Sequence, residues 1–304
     1  MKFTHSFDRR SAPREQSRGL RASGLCLFAV GVVILWASIS KAQTPSSAQA
    51  YYNRGNAEYA KGSFEQAIAD YKIAITFAPD YAPAYNNCGV ARLAAGDLSA
   101  AIADFDRAIE LDPAYVDALI NRGNARRVAG DLHGAVGDLD RALELKPRCA
   151  PGYFSRGNAR REAKELDRAI ADYSRAIEIN SVFAEAYTNR GQAKDLSRDL
   201  KGALADYNKA IQINPRMAMA YNNRGSLQLR AGRTSEAIAD FSEAIRINPR
   251  MAMAYANRAL AWMARGNEEA ARQDLGRCLE LDARLSTSLE RRIEEIKQQP
   301  APDR

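Results

Sequence analysis

The chain has 304 residues, 46% of them hydrophobic and 27% charged, with a formal net charge of +7. That composition excludes a disordered or low-complexity class and leaves ample apolar surface for a core. Two histidines and four cysteines are too few for a histidine-rich metal site or a dense disulfide framework.

In chain order, the first element is a leader. Lys2, Arg9, Arg10, Arg14, Arg18 and Arg21 precede an apolar run over residues 25–39, and Ser40, Lys41 and Ala42 follow it. Basic, apolar, then small residues is the order of an export signal, so residues 1–42 are expected to be removed and the mature chain to start near Gln43. The run falls short of the roughly 20 apolar residues that span a bilayer core. Retention as an inner-membrane anchor through residues 25–39 is the alternative, and the Arg9–Arg10 pair lies too far from the run to specify a twin-arginine route. Export places the mature chain in the periplasm or outside the cell.

Seven of the Lys and Arg and two of the Asp and Glu lie in residues 1–42, which leaves 37 basic against 35 acidic side chains, a net +2. Such a balance gives no general case for nucleic acid. Membrane contact is expected only through the N-terminal segment if it stays uncleaved.

After a short linker, residues 43–47, the chain repeats. Gly55, Gly89, Gly123, Gly157, Gly191 and Gly225 stand 34 residues apart, and Ala259 takes the seventh place. Units therefore run over 48–81, 82–115, 116–149, 150–183, 184–217, 218–251 and 252–285. The twentieth position is always alanine, from Ala67 to Ala271, and the twenty-fourth is Tyr71, Phe105, Leu139, Tyr173, Tyr207, Phe241 or Leu275. Small residues allow two helices to approach closely, and the bulky ones fill the space left over. A period near 34 with this content predicts a helical hairpin per unit, each hairpin burying its apolar face against the next.

Within a unit the turn is legible. In the second, residues 83–95 form a helix, Gly96 is its left-handed stop and Asp97 caps the next helix. Gly62, Gly130, Gly232 and Gly266 repeat the stop, whereas Lys164 and Arg198 replace it and mark the two strained hairpins. After the repeats, Leu285, Leu289, Ile293 and Ile296 form one stripe on a charged segment that begins with a capping box at Thr287 and Glu290. Residues 286–297 are expected to be a capping helix and residues 298–304 a frayed tail.

The order aromatic, Gly, Ala, aromatic, Ala, Pro at these spacings resembles the tetratricopeptide repeat family over about four fifths of the chain. The resemblance implies an all-α, right-handed α-solenoid of seven helix-turn-helix repeats plus the C-terminal capping helix. It also implies a non-catalytic scaffold that takes a protein or peptide partner in its concave groove. The systematic departure is the seventh position, where the family's leucine is replaced by Arg54, Arg122, Arg156, Arg190, Arg224 and Arg258. Sixteen residues after each stands an aspartate, Asp70, Asp138, Asp172, Asp206, Asp240 or Asp274, which predicts a structural ladder of pairs. Asp104 follows Cys88 and must find its partner elsewhere.

No phosphate loop, nucleophile elbow or dinucleotide fingerprint occurs, and no cofactor or metal ligand set is indicated. His133, the single histidine beyond the leader, sits in a hairpin turn, so a Ser or Cys nucleophile lacks its base. Cys88, Cys149 and Cys278 occupy different places in the unit and are expected to be buried small residues.

In the family the first helix of each unit lines the groove. At about 100° per residue this face carries Tyr52, Asn56 and Tyr59 in the first unit, Asn124 and Arg127 in the third, Asn158 and Arg161 in the fourth, and Gln192 and Asp195 in the fifth. The ends are more apolar, with Val90 and Leu93 in the second unit and Met219, Leu229, Met253, Leu260 and Met263 in the last two. Met219 and Met253 are either soft contacts for a partner or packing between units. On the flank runs an asparagine row, Asn53, Asn87, Asn121, Asn189, Asn223 and Asn257, with Ser155 in the fourth unit. It is similar to the asparagine ladder in the repeat domains of O-linked N-acetylglucosamine transferases, and it either holds an extended peptide backbone or braces the helices. The family's carboxylate clamp does not carry over, because Ile120, Phe154 and Thr188 stand where its lysines would be. Arg126, Arg127, Arg160 and Arg161, joined by Lys194, form either an acid-binding patch or a face neutralised by Glu162 and Asp195.

The expected function is thus a protein–protein interaction scaffold of the cell envelope. A self-associating assembly factor that forms homo-oligomers through exposed repeat edges is the alternative, and a glycan-binding or modifying protein a distant third.

Overall fold

The computed structural model describes residues 47–285. The leader, most of the linker, the capping helix and the tail expected from the sequence lie outside the described residues.

Among the described residues, fourteen α-helices follow one another as hairpins. The first unit holds α1 (Ala48–Ala60) and α2 (Phe64–Phe77), the second α3 (Ala82–Ala95) and α4 (Leu98–Leu111), the third α5 (Val116–Val128) and α6 (Leu132–Leu145). The fourth holds α7 (Ala150–Glu162) and α8 (Leu166–Ile179), the fifth α9 (Ala184–Leu196) and α10 (Leu200–Ile213). The sixth holds α11 (Ala218–Arg230) and α12 (Thr234–Ile247), and the seventh α13 (Ala252–Ala264) and α14 (Glu268–Leu281), before a short 3-10 turn at Ala283–Leu285. Each first helix begins 34 residues after the last, in the register of the glycine series. None of the described helices is long and apolar enough to cross a membrane.

Helices this short are marginal alone, and tertiary packing holds them. Tyr71, Phe105, Leu139, Tyr173, Tyr207 and Phe241 on the second helices are at most 1% exposed. Each lies over the glycine of its own unit. A Cβ placed on Gly157 would come within 2.7 Å of the Tyr173 ring, and one on Gly89 within 2.7 Å of Phe105. The twentieth-position alanines, from Ala67 to Ala271, are at most 2% exposed and complete the close approach. Every second helix from α2 to α12 packs on both its own first helix and the first helix of the next unit, which makes the stack continuous.

The turns follow the local chemistry. Asp97, Asp131 and Asp199 accept the backbone N–H three residues on, at 3.1, 2.8 and 2.9 Å, and so cap α4, α6 and α10. Gly96 ends α3 at φ 90°, and Lys164 (φ 63°) and Arg198 (φ 71°) are forced into the same left-handed region. A side chain there costs about 1 kcal/mol relative to glycine. We expect Lys164→Gly and Arg198→Gly each to raise unfolding stability by about that amount, measured by urea titration, with Lys164→Ala giving no such gain.

Cys88, Cys149 and Cys278 are free and buried. Burial pushes the Cys88 thiol up to about 12, with Asp104 beside it adding to the effect, so it stays protonated.

Candidate functional site

The wall that carries the candidate residues is set by a packing asymmetry. Each first helix touches the next first helix, while second helices make no comparable contact with one another. Closer spacing of first helices bends the stack around them, which places their free face on the inside of the curve.

The arginine row is absorbed by the seam between hairpins. Arg122 donates through Nε to Asp138 Oδ2 at 2.9 Å and through Nη2 to Oδ1 at 2.5 Å. Arg190, Arg224 and Arg258 hold Asp206, Asp240 and Asp274 in the same two-pronged way, and Arg54 and Arg156 hold Asp70 and Asp172. The remaining guanidinium nitrogen reaches the preceding unit. Nη1 of Arg122 donates to Asp106 at 2.7 Å, of Arg156 to Asp140 at 2.6 Å and of Arg224 to Asn208 at 2.7 Å. Arg190 and Arg258 find Ser174 and Ser242 at 3.0 Å. One side chain thereby ties its own hairpin to its neighbour. Each of five arginines also lies over the tyrosine three residues before it, as with Arg156 at 5.3 Å from the Tyr153 ring.

Asp104 breaks the pattern as its cysteine predicts, and pairs with Arg92 at 3.2 Å. Its Oδ2 accepts no hydrogen bond among the described residues, and burial raises its carboxyl above the usual carboxylate range. Lys72 acts on Cys88 electrostatically, and it holds the position where sister units carry the neighbour's acceptor. An arginine in place of Cys88 would meet that like charge.

The paired arginines are neutralised within the protein. Arg126 and Arg160 join the buried Asp138 and Asp172 at 3.0 and 2.9 Å, and Lys194 joins Asp206 at 2.9 Å. Arg127 donates to Glu162 at 2.5 Å, Arg161 to Gln192 at 2.9 Å, and Arg230 pairs with Asp195. Of the two readings of this cluster, the pairing within the protein supports the neutralised face.

The asparagine row stitches one first helix to the next. Asn87 Nδ2 donates to Tyr52 Oη at 2.9 Å and to Asn56 Oδ1 at 2.8 Å, and Asn121 Nδ2 to Asn86 Oδ1 at 2.9 Å. Asn189 Nδ2 donates to Asn158 Oδ1 at 2.8 Å, and Asn257 Nδ2 to Asn222 Oδ1 at 3.0 Å and Ser226 Oγ at 3.3 Å. Asn223 accepts from its neighbour Asn222 at 3.3 Å, and the exposed Asn53 accepts from Gln49 at 2.9 Å. Most of the donors that an extended backbone would use are thus engaged with the preceding unit.

Asn56 and Asn158 also accept from the buried hydroxyls of Tyr71 (2.7 Å) and Tyr173 (2.8 Å), so in the first and fourth units the ninth position is engaged at the seam, whereas in the third Asn124 faces Leu139, which has no hydroxyl to offer. Burial pushes Tyr173 up to about 12, which keeps it a donor at neutral pH. Leu260 holds the same place in the seventh unit, opposite Leu275, which has no hydroxyl to satisfy. It is 1% exposed, a correction to its assignment to the groove. Val90 and Leu93 pack against Phe105 and Ala125, Leu229 packs against Phe241, and Tyr52 and Tyr59 pack against Tyr71.

What stays available is limited. Asn124, half-buried on α5, has no side-chain hydrogen bond among the described residues. Met219 and Met253 are 52% and 44% exposed, which decides against packing between units for them. Met217, the residue just before α11, packs inward instead, with its sulfur 2.9 Å from Thr188 Oγ1 on α9. The acceptors Asp106, Asp140, Ser174, Asn208 and Ser242 were not foreseen; their signal is a polar residue sixteen positions before each arginine.

A stack of helical hairpins with a braced inner wall defines the α-solenoid class, whose surfaces serve protein–protein interaction. Sequence models described as "TPR repeat" match residues 55–96 and 157–194, and those described as "Tetratricopeptide repeat" match 82–115, 184–217 and 218–251. The chain belongs to the tetratricopeptide repeat family, whose members generally act as scaffolds. A comparison with curated proteins finds no match. Among solved structures, a tetratricopeptide repeat protein from Parabacteroides merdae is 18% identical, with a TM-score of 0.65 over 83% of this chain and 99% of that one. Cut9, in the APC/C hetero-tetramer Cut9-Hcn1, is 15% identical with a TM-score of 0.69 over 80% of this chain, which spans 48% of its length. MamA is 24% identical with a TM-score of 0.48, over 54% of this chain and 96% of MamA.

Proposed function

We propose that this protein is an exported, non-catalytic scaffold of the cell envelope that holds an extended segment of a partner protein against the inner wall of its first helices. The packing asymmetry carries the reading: touching first helices create one continuous wall, braced from unit to unit before any partner arrives. The leader supplies the envelope location, in the periplasm or outside the cell, with retention in the inner membrane as the alternative. Residues 1–42 found attached to protein recovered from the membrane fraction would choose the anchor.

The contact region on the wall is centred on units three and four, whose first helices carry the unpartnered Asn124, the Arg127–Glu162 bridge and Arg161, which reaches Gln192 of the fifth unit. An amide offers donor and acceptor together, and bridges of half-exposed groups can exchange partners at small cost. We expect Asn124→Ala with Arg161→Ala to weaken capture of the native partner about thirtyfold, since two polar contacts are worth about 1 kcal/mol each. In-cell crosslinking followed by affinity purification measures this. Unchanged capture with an unchanged melting curve would remove the inner wall as the binding surface.

A further inference from the structure

A second surface stands on the rim formed by the loops between units, where the sequence Pro-Arg-Met-Ala-Met-Ala-Tyr occurs twice, at residues 215–221 and 249–255. The first methionine of each copy, Met217 or Met251, is half-buried. The second, Met219 or Met253, is 52% or 44% exposed, although an alternating Met-Ala-Met needs only one methionine for packing. Arg216 and Arg250 are exposed, and neither has an ion-pair partner among the described residues. By contrast, Arg107, Arg141, Arg175, Arg246 and Arg277 on the second helices each pair with a glutamate three residues away, while Arg148, at the equivalent place two units before Arg216, is exposed and unpaired but has Pro151 where the exposed methionine would stand. Arg284, at the equivalent place one unit after Arg250, is tied to Asp282 at 2.8 Å. At the start of α9 the same two places hold Val182, 69% exposed, and Glu185, so the repeated methionine-and-arginine pair is confined to the starts of α11 and α13, the first helices of units six and seven.

We propose that this rim docks an acidic segment of another protein in polyproline II conformation, with an apolar side chain at every third residue. Charge complementarity assigns the acid: two unpaired guanidinium groups flank two exposed thioethers, and apolar side chains fit the adaptable methionines. The repeat spacing assigns the conformation. Adjacent first helices pack about 8–10 Å apart, and α11 and α13 are in contact through the Asn257–Asn222 bond. Three residues of polyproline II rise about 9.3 Å and complete one turn. Every third side chain therefore returns to the same face one unit further along. A β-strand, with its period of two, turns every third side chain away. The proposal shares with the scaffold reading only the idea of a protein partner, and it moves the contact from the inner wall of units three and four to the rim of units six and seven.

The test uses the purified full-length chain and a fluorescein-labelled peptide of four Leu-Glu-Pro triplets, read by anisotropy. Saturable binding is expected, weakened about tenfold or more by Arg216→Glu with Arg250→Glu. Met219→Ser with Met253→Ser should weaken it about fivefold or more. A peptide of three Leu-Glu-Glu-Pro blocks should bind about tenfold less tightly, because its leucines drift around the helix instead of stacking on one face. Circular dichroism melting of each variant establishes that it folds. Equal affinity for the two spacings, equal affinity for a Leu-Lys-Pro peptide, or indifference to both pairs of substitutions overturns the proposal. So does a concentration-dependent doubling of mass in sedimentation that the arginine substitutions abolish, since that assigns the rim to a second copy of this chain. Asn124→Ala with Arg161→Ala should leave peptide binding unchanged, so failure of the rim and failure of the inner wall are read separately.

Discussion

Asp172→Ala is expected to destabilise the fourth unit by about 3–5 kcal/mol, the cost of leaving buried charge without its partner. Asp172 is 3% exposed and holds two cations, Arg156 through Nη2 at 2.7 Å and Arg160 through Nη1 at 2.9 Å. Arg156 retains Asp140 at 2.6 Å, whereas Arg160 keeps only a 3.8 Å approach to the same carboxylate. Because a solenoid's stability is a sum of units and nearest-neighbour interfaces, the damage should be local. Hydrogen exchange should show α7 to α9 losing protection first while the end units keep theirs. Glu178→Ala, which breaks the exposed pair with Arg175 at 2.7 Å, should leave both observables nearly unchanged.

Asp104 gives the contrast within the same row. Burial raises its carboxyl, so the folded state prefers the protonated acid and the carboxylate opposes folding at neutral pH. The sign is opposite to that of a well-paired aspartate. Its penalty should be relieved as pH falls through the raised folded value toward the unfolded one. Asp104→Asn should remove that component of the pH dependence, while Asp172→Asn should be strongly destabilising. Equal effects of the two substitutions would show that the extra arginine in the fourth unit contributes nothing.

The second large effect belongs to the glycine and aromatic seam. Tyr173→Ala should cost about 3–5 kcal/mol, because a fully buried aromatic leaves a cavity that short, braced helices cannot collapse into. Gly157→Ala should cost about 1–2 kcal/mol, as overpacking against the ring at 2.7 Å outweighs the gain in helix propensity. The seventh unit already carries the alternative solution, Ala259 opposite Leu275. Gly157→Ala combined with Tyr173→Leu should therefore be less destabilising than the sum of its parts by about 1 kcal/mol, as contacting residues couple. A strictly additive double-mutant cycle in chemical denaturation would separate the two positions and refute a shared seam.

Contacts internal to one unit were legible in the sequence, because they recur at fixed separations seven times over. The 34-residue period gave the helix starts, and glycine against aromatic gave the close approach. A separation of sixteen gave the Arg122–Asp138 pair and the five like it, and Lys164 and Arg198 announced their left-handed turns by standing where glycine stands elsewhere. Contacts between units were decided only by tertiary structure. The second grip of Arg122 on Asp106, the bonds from Asn189 to Asn158 and from Asn257 to Asn222, and the burial of Leu260 depend on how far one hairpin is rotated and shifted against the next. A helical wheel fixes which side of its own helix a residue faces, and it carries no information about that rotation. The asparagine row illustrates the difference: its regularity was visible in the sequence, but only the spacing of neighbouring first helices turned its amides toward the preceding unit. The same division applies to Met217 and Met219, two residues apart at the start of α11, of which the stack half-buries one and exposes the other.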